Sequence, residues 1–218
     1  MKIPQDWTFE NDNVAAGFDR HVREQLPWYD LATNSITHIA RHYISKQGLV
    51  YDIGAATGNI GRALKPVLDD RHAEFFAVEP AYQMNGVYDG PGKLLRSKAE
   101  ECEYAEFDLA VLFLTLMFID PCKRLDLMYK LRASCKKGGA IIVFDKVENE
   151  GGYISTIMSR LTLAGKKAAG VDSDEIIQKE LSLCGVQRPL RIEQLGGNFT
   201  EWFRFGEFRG WVLEKPAV

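Results

Sequence analysis

Two carboxylates and one turn of small residues carry the chemistry of this 218-residue chain. The run Val50-Tyr51-Asp52-Ile53-Gly54-Ala55-Ala56-Thr57-Gly58-Asn59 sets Asp52 ahead of small side chains at positions 54, 55, 56 and 58. Gly54 and Gly58 lack Cβ, so they permit positive φ and let a ligand approach the backbone closely. The spacing is Asp-x-Gly-x-Ala-x-Gly. A dinucleotide fingerprint would read Gly-x-Gly-x-x-Gly and seat a pyrophosphate on the helix N-terminus. A carboxylate at Asp52 repels phosphate and suits an ammonium or sulfonium cation. The second acid, Glu79, closes the apolar run Glu74-Phe75-Phe76-Ala77-Val78 just before Pro80, 21 residues after Gly58. That is close to the offset of about 20 residues at which an acid reaches ribose hydroxyls. A carboxylate can accept from both the 2′- and 3′-OH, which selects an unphosphorylated ribose. The two motifs predict a nucleoside cofactor.

Other chemistries find less support. His38 and His42 stand one helical turn apart, as metal ligands can, but without the Glu of a His-Glu-x-x-His site or a third ligand; they read as polar helix surface. Cys102, Cys122, Cys135 and Cys184 form no Cys-x-x-Cys pair, so no zinc site or redox dithiol is signalled. There is no Gly-x-Ser-x-Gly elbow and no Gly-x-x-x-x-Gly-Lys phosphate loop. Lys166-Lys167, Lys136-Lys137 and Arg132 could meet RNA phosphates, yet helix surfaces often carry such charge. Phe199, Trp202, Phe203, Phe205, Phe208 and Trp211 could stack bases, but their β-like spacing marks them as sheet core. The net charge of −3 gives no global reason to bind nucleic acid or an anionic membrane. No apolar run reaches the ~18 residues that span a bilayer. Scattered thiols without a signal peptide fit a reducing cytoplasm.

Elements must bring the two acids together. One α/β domain spanning 1–218 is expected at this length. Residues 1–45 form an N-terminal helical lid in which Val14, Phe18, Val22 and Leu26 recur at helical spacing up to Pro27, followed by a second stretch from Leu31 to Tyr43. The core, 46–218, alternates. Strands are predicted at 49–53, 74–79, 93–97, 108–114 and 139–145, with helices at 59–69 and 121–136, the latter stopping before Gly138-Gly139. This alternation implies a parallel sheet with helices on both faces. Residues 152–185 form a helical insert broken near Gly170, and a short helix covers 188–195. Phe199–Phe205 and Phe208–Glu214 flank a turn and predict a hairpin.

The Asp52–Gly58 turn resembles the first motif of class I S-adenosylmethionine (AdoMet) methyltransferases, with Ala56 in place of the middle glycine. Over most of its length the chain resembles the carboxy-S-adenosylmethionine synthase family within that superfamily. The resemblance is carried by Asp6-Trp7-Thr8-Phe9, Phe18-Asp19-Arg20-His21-Val22, Pro27-Trp28-Tyr29, Tyr51-Asp52-Ile53-Gly54, Leu114-Thr115-Leu116-Met117-Phe118-Ile119-Asp120-Pro121, Gly138-Gly139-Ala140 and Phe144-Asp145-Lys146. It implies a Rossmann-like sheet of seven strands, mostly parallel with the last antiparallel, and S-adenosyl-L-methionine as cofactor. It implies that Tyr29 reaches over the cofactor, that Gly54, Ala55 and Ala56 face the methionine part, and that Glu79 takes the ribose with Pro80 beside it. Lys98 and Ala99 fall near the adenine, and Phe113 ends the fourth strand.

Three departures stand out: Lys98 where the family has Asp, Phe113 where it has Asn, and Glu180 where it has the Arg that pairs with the extra carboxylate of carboxy-AdoMet. Two like charges near contact repel by about 1 kcal/mol in water and several in a shielded site. Arg160, Arg188 or Arg191 are the cations available to compensate. The expected activity is therefore AdoMet-dependent methyl transfer to an unidentified acceptor, small or from an RNA pathway. Carboxy-AdoMet synthesis from AdoMet and prephenate, in tRNA wobble-uridine modification, is the first alternative, and an AdoMet-binding accessory subunit without catalysis the second. Methyl transfer requires alignment and exclusion of water; a base is needed only if the acceptor retains a proton of high pKa. Tyr29, Asp145 and Glu148 are the candidates for that base. The residues do not fix the oligomeric state, and a homodimer stays open.

Overall fold

The computed structural model describes residues 3–148 and 151–217. A helical section opens the chain: α1 (Asp12–Gln25), whose first amides are capped by the Asn11 side chain at 3.0 and 3.3 Å, then α2 (Tyr29–Ala40). Strands and helices then alternate through β1 (Leu49–Ile53), α3 (Asn59–Arg71), β2 (Glu74–Val78), α4 (Tyr82–Val87), β3 (Lys93–Leu95) and β4 (Phe107–Phe113). After them come α5 (Pro121–Ser134), β5 (Cys135–Lys146), the insert helices α6 (Tyr153–Ala168) and α7 (Ser173–Ser182), and the hairpin of β6 (Thr200–Phe205) with β7 (Phe208–Glu214).

The sheet has the order β3-β2-β1-β4-β5-β7-β6, with β7 antiparallel to both of its neighbours and the remaining pairs parallel. It is the expected seven-stranded arrangement. Every side chain of β4 is buried, as a central strand covered on both faces requires. Alternate residues feed two cores. Val50, Leu109, Val111, Ile142 and Phe144 meet Trp28, Ile36 and Leu64 on one face; Ile53, Leu112, Ile141 and Val143 meet Leu127, Met128 and Leu131 on the other. The aromatics of the hairpin join these cores: Trp202 and Phe203 pack on Phe144, and Phe208 on Trp28.

The boundaries shift in instructive places. The fifth strand begins at Cys135, ahead of Gly138-Gly139. Cys135 pairs with Phe107, but the next pairing joins Leu109 to Ala140, so the glycines lie in a bulge within the strand. The helix before it ends on the extended Cys135. The second helix closes at Ala40, three residues early, and the 188–195 segment is helical only as a 3-10 turn over Ile192–Leu195. That segment is held by the buried Arg124, which donates to the carbonyls of Ile119, Arg188 and Pro189 and to Gln194 Oε1. Long-range ties of this kind leave no periodicity in the sequence. Among the described residues no helix is long and apolar enough to cross a membrane.

Candidate functional site

A cavity of about 380 Å³ opens over the carboxyl ends of β1, β2 and β4, where open α/β sheets bind ligands. Ten of the eleven expected cofactor residues line it: Tyr29, Asp52, Gly54, Ala55, Ala56, Glu79, Pro80, Lys98, Ala99 and Phe113. The eleventh, Gly58, does not. It begins α3 at φ 94°, and a Cβ there would come within 2.7 Å of the Gly90 amide and 3.0 Å of the Tyr88 ring. Gly58 therefore makes room for the chain at 88–90 rather than for a ligand.

The turn after β1 is fixed from beneath. The amides of Gly54 and Ala55 donate to the Val78 carbonyl at 2.8 and 3.1 Å. Gly54 lies at φ 76°, and a Cβ would meet Thr115 at 2.6 Å, while Thr115 Oγ1 donates to the Ile53 carbonyl. Ala56 stands where the motif has glycine and keeps the left-handed backbone, φ 46°. Its amide donates to Glu79 Oε2 at 2.9 Å, which holds the strained residue in place. Glu79 Oε1 accepts from the Ala81 amide at 2.9 Å. Each oxygen keeps a further lone pair, so the carboxylate can also accept two hydroxyls. Burial raises the Glu79 pKa against the pull of those two amides.

Asp52 is buried and its Oδ2 has no hydrogen-bond partner. Burial, and then repulsion from Glu79, push its carboxyl up to about 7. Asp52 also lines the cavity, and a buried carboxylate oxygen without a partner is a site for a cation. From α1, Asp19 pairs with Arg62 at 2.6 Å and bonds Thr57, so the lid is tied to the turn itself. Tyr29 packs on Phe113 with ring centroids 5.0 Å apart, and Arg23 lies over the Tyr29 ring at 5.1 Å.

The roof contains residues that sequence reasoning did not place in the site: Trp7, His21, Gln25, Lys146, Lys166 and Lys179 line the cavity. Glu180, at the position of the family's carboxylate-binding Arg, lines it with them. Trp7 is held against α7 by its amide, which donates to the Ser182 carbonyl at 2.9 Å, and it stacks on His21 at 5.8 Å. Trp7 Nε1, both His21 ring nitrogens and Gln25 Oε1 are buried without hydrogen-bond partners among the described residues, with Glu175 Oε1 3.8 Å from His21 Nδ1. Burial, then the charge of Lys179, drives the His21 pKa down to about 4, so the imidazole is neutral. Glu180 Oε1 accepts from Lys166 Nζ at 2.8 Å, and its Oε2 lies 3.6 Å from Lys146 Nζ. Burial raises the Glu180 pKa, but these two ion pairs outweigh it and hold it low. Lys179 Nζ packs on the face of the Trp7 ring. Burial, then Lys166, lowers its pKa to about 6. A desolvated cation over Trp is worth about 2 kcal/mol, which at 1.36 kcal/mol per pH unit returns the value only part of the way.

Several expectations change. Lys166 is buried in the cavity roof, not displayed to RNA, while Lys136 pairs with Asp108 at 3.0 Å and Arg132 bonds the Gly196 carbonyl. Arg160, Arg188 and Arg191 do not line the cavity; the cations around Glu180 are lysines. Of the three candidate bases, Asp145 is buried off the cavity and accepts from the amides of Leu116, Met117 and Lys146, which fixes the 114–118 turn. Glu148 lies outside the lining, 4.0 Å from Arg191. Tyr29 lines the cavity, but burial raises its phenol, so it does not ionise. The N-terminal Trp7 and His21 were visible only as parts of the family resemblance.

No protein-family model matches the chain. It is similar to the carboxy-S-adenosyl-L-methionine synthase of Staphylococcus epidermidis, 26% identical over 97% of this chain and 98% of that one. The synthase of Shewanella piezotolerans is 28% identical over 95% and 93%. Among solved structures, human N-acetylserotonin methyltransferase in complex with SAM superposes with a TM-score of 0.57 at 11% identity. That match covers 95% of this chain and 57% of the human one, and it speaks to the fold alone. Sheet order, turn geometry and full-length sequence likeness agree: the chain has the fold of S-adenosyl-L-methionine-dependent methyltransferases and is similar throughout to carboxy-S-adenosyl-L-methionine synthases.

Proposed function

We propose that the chain is an AdoMet-dependent transferase acting on a small acceptor enclosed beneath the roof of α1, α6 and α7. The observation that carries the reading is one cavity lined both by the Asp52, Gly54–Ala56 and Glu79 set and by the buried polar roof. The donors fit the cofactor. Asp52 offers an unpartnered oxygen to the cationic methionine part, Glu79 has lone pairs left for the ribose hydroxyls, and Lys98 with Ala99 borders the adenine end. When bound, AdoMet supplies a methyl group on positive sulfur. The protein's own part is to orient the acceptor, exclude water and accept a proton. Mass spectrometry of small molecules retained by the purified chain should find AdoMet or S-adenosylhomocysteine; a chain that neither retains nor binds them refutes the reading.

A second reading, carboxy-AdoMet synthesis, is favoured by the names of the full-length relatives and by three lysines around Glu180. Against it, Glu180 is anionic and satisfied by Lys166 and Lys146, so those charges are already compensated. Incubation with AdoMet and prephenate separates the two. Methyl transfer alone leaves the cofactor unaltered in that mixture, whereas a cofactor heavier by one carbon dioxide establishes the synthase.

A further inference from the structure

We infer that Lys179 is the proton acceptor of this site: its side-chain amine takes the proton that the acceptor's nucleophilic atom must lose. The inference rests on the transferase reading and assigns a residue to it. Four lysines line the cavity, and three of them pair with carboxylates. Lys98 lies 3.5 Å from Glu101, Lys166 is bonded to Glu180 at 2.8 Å, and Lys146 lies 3.6 Å from Glu180 and 3.9 Å from Glu207. Lys179 is the fourth. Among the described residues its Nζ has no carboxylate in ion-pair contact and no hydrogen-bond acceptor; it lies on the face of Trp7.

The groups facing Lys179 come from every element around it. Lys166 of α6 repels a charge there, and Glu175 and Glu180 of its own helix favour one. His21 of α1 is neutral and contributes none. Burial dominates, which favours the neutral amine and its free lone pair. A base works best when its pKa lies near the working pH. His21 is too weak at about 4, the Tyr29 phenol is held protonated, and Asp145 and Glu148 lie off the cavity. A desolvated lysine beside a second cation is a recurrent way of obtaining a neutral amine.

The step balances. The acceptor's N–H or O–H atom bonds the methyl carbon through its lone pair, the carbon–sulfur electrons return to sulfur, and the acceptor's proton passes to Lys179 Nζ. The positive charge lost at sulfur reappears on the lysine, so the net charge of the cavity is unchanged and no further reactant is called for.

Lysine Cε resonances of 13C-labelled, ligand-free protein read the amine directly, with Lys179→Met giving the assignment. The expected result is one resonance, absent from Lys179→Met, that titrates below pH 8 while the others titrate near 10. A Lys179 resonance that titrates with the rest overturns the inference. Sinefungin, an AdoMet analogue bearing an amine at the sulfonium position, is titrated into wild type, Lys179→Met and Lys179→Gln, with near-ultraviolet circular dichroism confirming that each variant folds. Failure of wild type to bind refutes the transferase reading, a result distinct from failure of the lysine titration. With an acceptor found in a panel of small amines, phenols and hydroxy acids, Lys179→Gln should lose about 10²–10⁴-fold in turnover at unchanged sinefungin affinity. The rising limb of the pH–rate profile should vanish with it; a variant that retains that limb overturns the assignment.

Discussion

Glu79→Gln tests whether one carboxylate both builds the cofactor turn and reads the cofactor. In the folded chain its two oxygens accept from the amides of Ala56 and Ala81, each at 2.9 Å. A glutamine side chain brings one acceptor oxygen and one NH2, so it can satisfy only one of those amides. A hydrogen bond to a charged group is worth about 1.5–3 kcal/mol, and removal of a buried carboxylate whose pKa is already raised offsets part of that loss. The net destabilisation should be about 1–2 kcal/mol. For a chain of this size that corresponds to a fall of about 2–4 °C in Tm per kcal/mol. Ala56 adds to the effect, because its left-handed backbone is held by the amide bond that is lost. Binding should suffer separately: loss of charge-assisted bonds to the ribose lowers AdoMet affinity about tenfold or more. Differential scanning calorimetry of the ligand-free protein gives the first number and titration calorimetry with sinefungin the second. Glu79→Asp is the control, since it keeps the charge but is one methylene too short to span both amides. An unchanged Tm in Glu79→Gln would refute the structural half of this reasoning, and an unchanged affinity the ribose half.

Four further outcomes are expected. Asp52 titrates near 7 in the ligand-free chain, so a cationic ligand must displace its proton at lower pH; AdoMet affinity should rise by up to about tenfold per pH unit approaching pH 7 and flatten above it, and Asp52→Asn should abolish that slope in titrations from pH 6 to 8. The same raised carboxyl makes the folded state bind more protons than the unfolded one between about pH 4 and 7, so its contribution to ligand-free stability is present at low pH and lost as pH rises through 7, which Asp52→Asn should remove from a Tm–pH curve. Gly58→Val should lower stability by at least about 1–2 kcal/mol through its positive φ and its collision with Gly90, and lose ligand only in proportion to unfolding; a fully folded variant that fails to bind would return Gly58 to the ligand surface. Glu180→Gln frees the buried Lys166 from its anion; because Glu180 is itself part-exposed, the expected loss is about 1 kcal/mol, read in urea titrations, and no loss at all would show that the pair is not formed in solution.

The cofactor half of the site was legible because the backbone writes it. A turn that needs positive φ at 54 and 56, flanked by apolar strands and followed by an acid at the end of the next strand, leaves small residues and a carboxylate at fixed spacing. Even the exception, Ala56, was readable as the replacement of a glycine, although its retention of the left-handed conformation was not. Gly58 shows the limit of that code. Its missing Cβ reads as room for a ligand, and the neighbour that fills the space, Gly90, lies 32 residues away in a segment with no motif.

The roof was hidden for a different reason. Lys146, Lys166 and Lys179 come from β5, α6 and α7, and in the sequence each is one basic residue among the 27 of the chain. What makes them chemical is burial together with unequal partnering: two have an anion and one has Trp7 instead. Burial of a lysine is set by tertiary packing, and a lone lysine gives no periodic signal of it. Glu180 illustrates the consequence. Compared position by position with the family's arginine, it reads as a wrong-signed charge in an anion site. In the folded chain it pairs with one lysine, approaches a second and stands beside a third, so its charge belongs to a cluster. A single substitution in an alignment changes the sign of one residue; the chemistry of the cavity follows the sum over all the groups that packing brings to it.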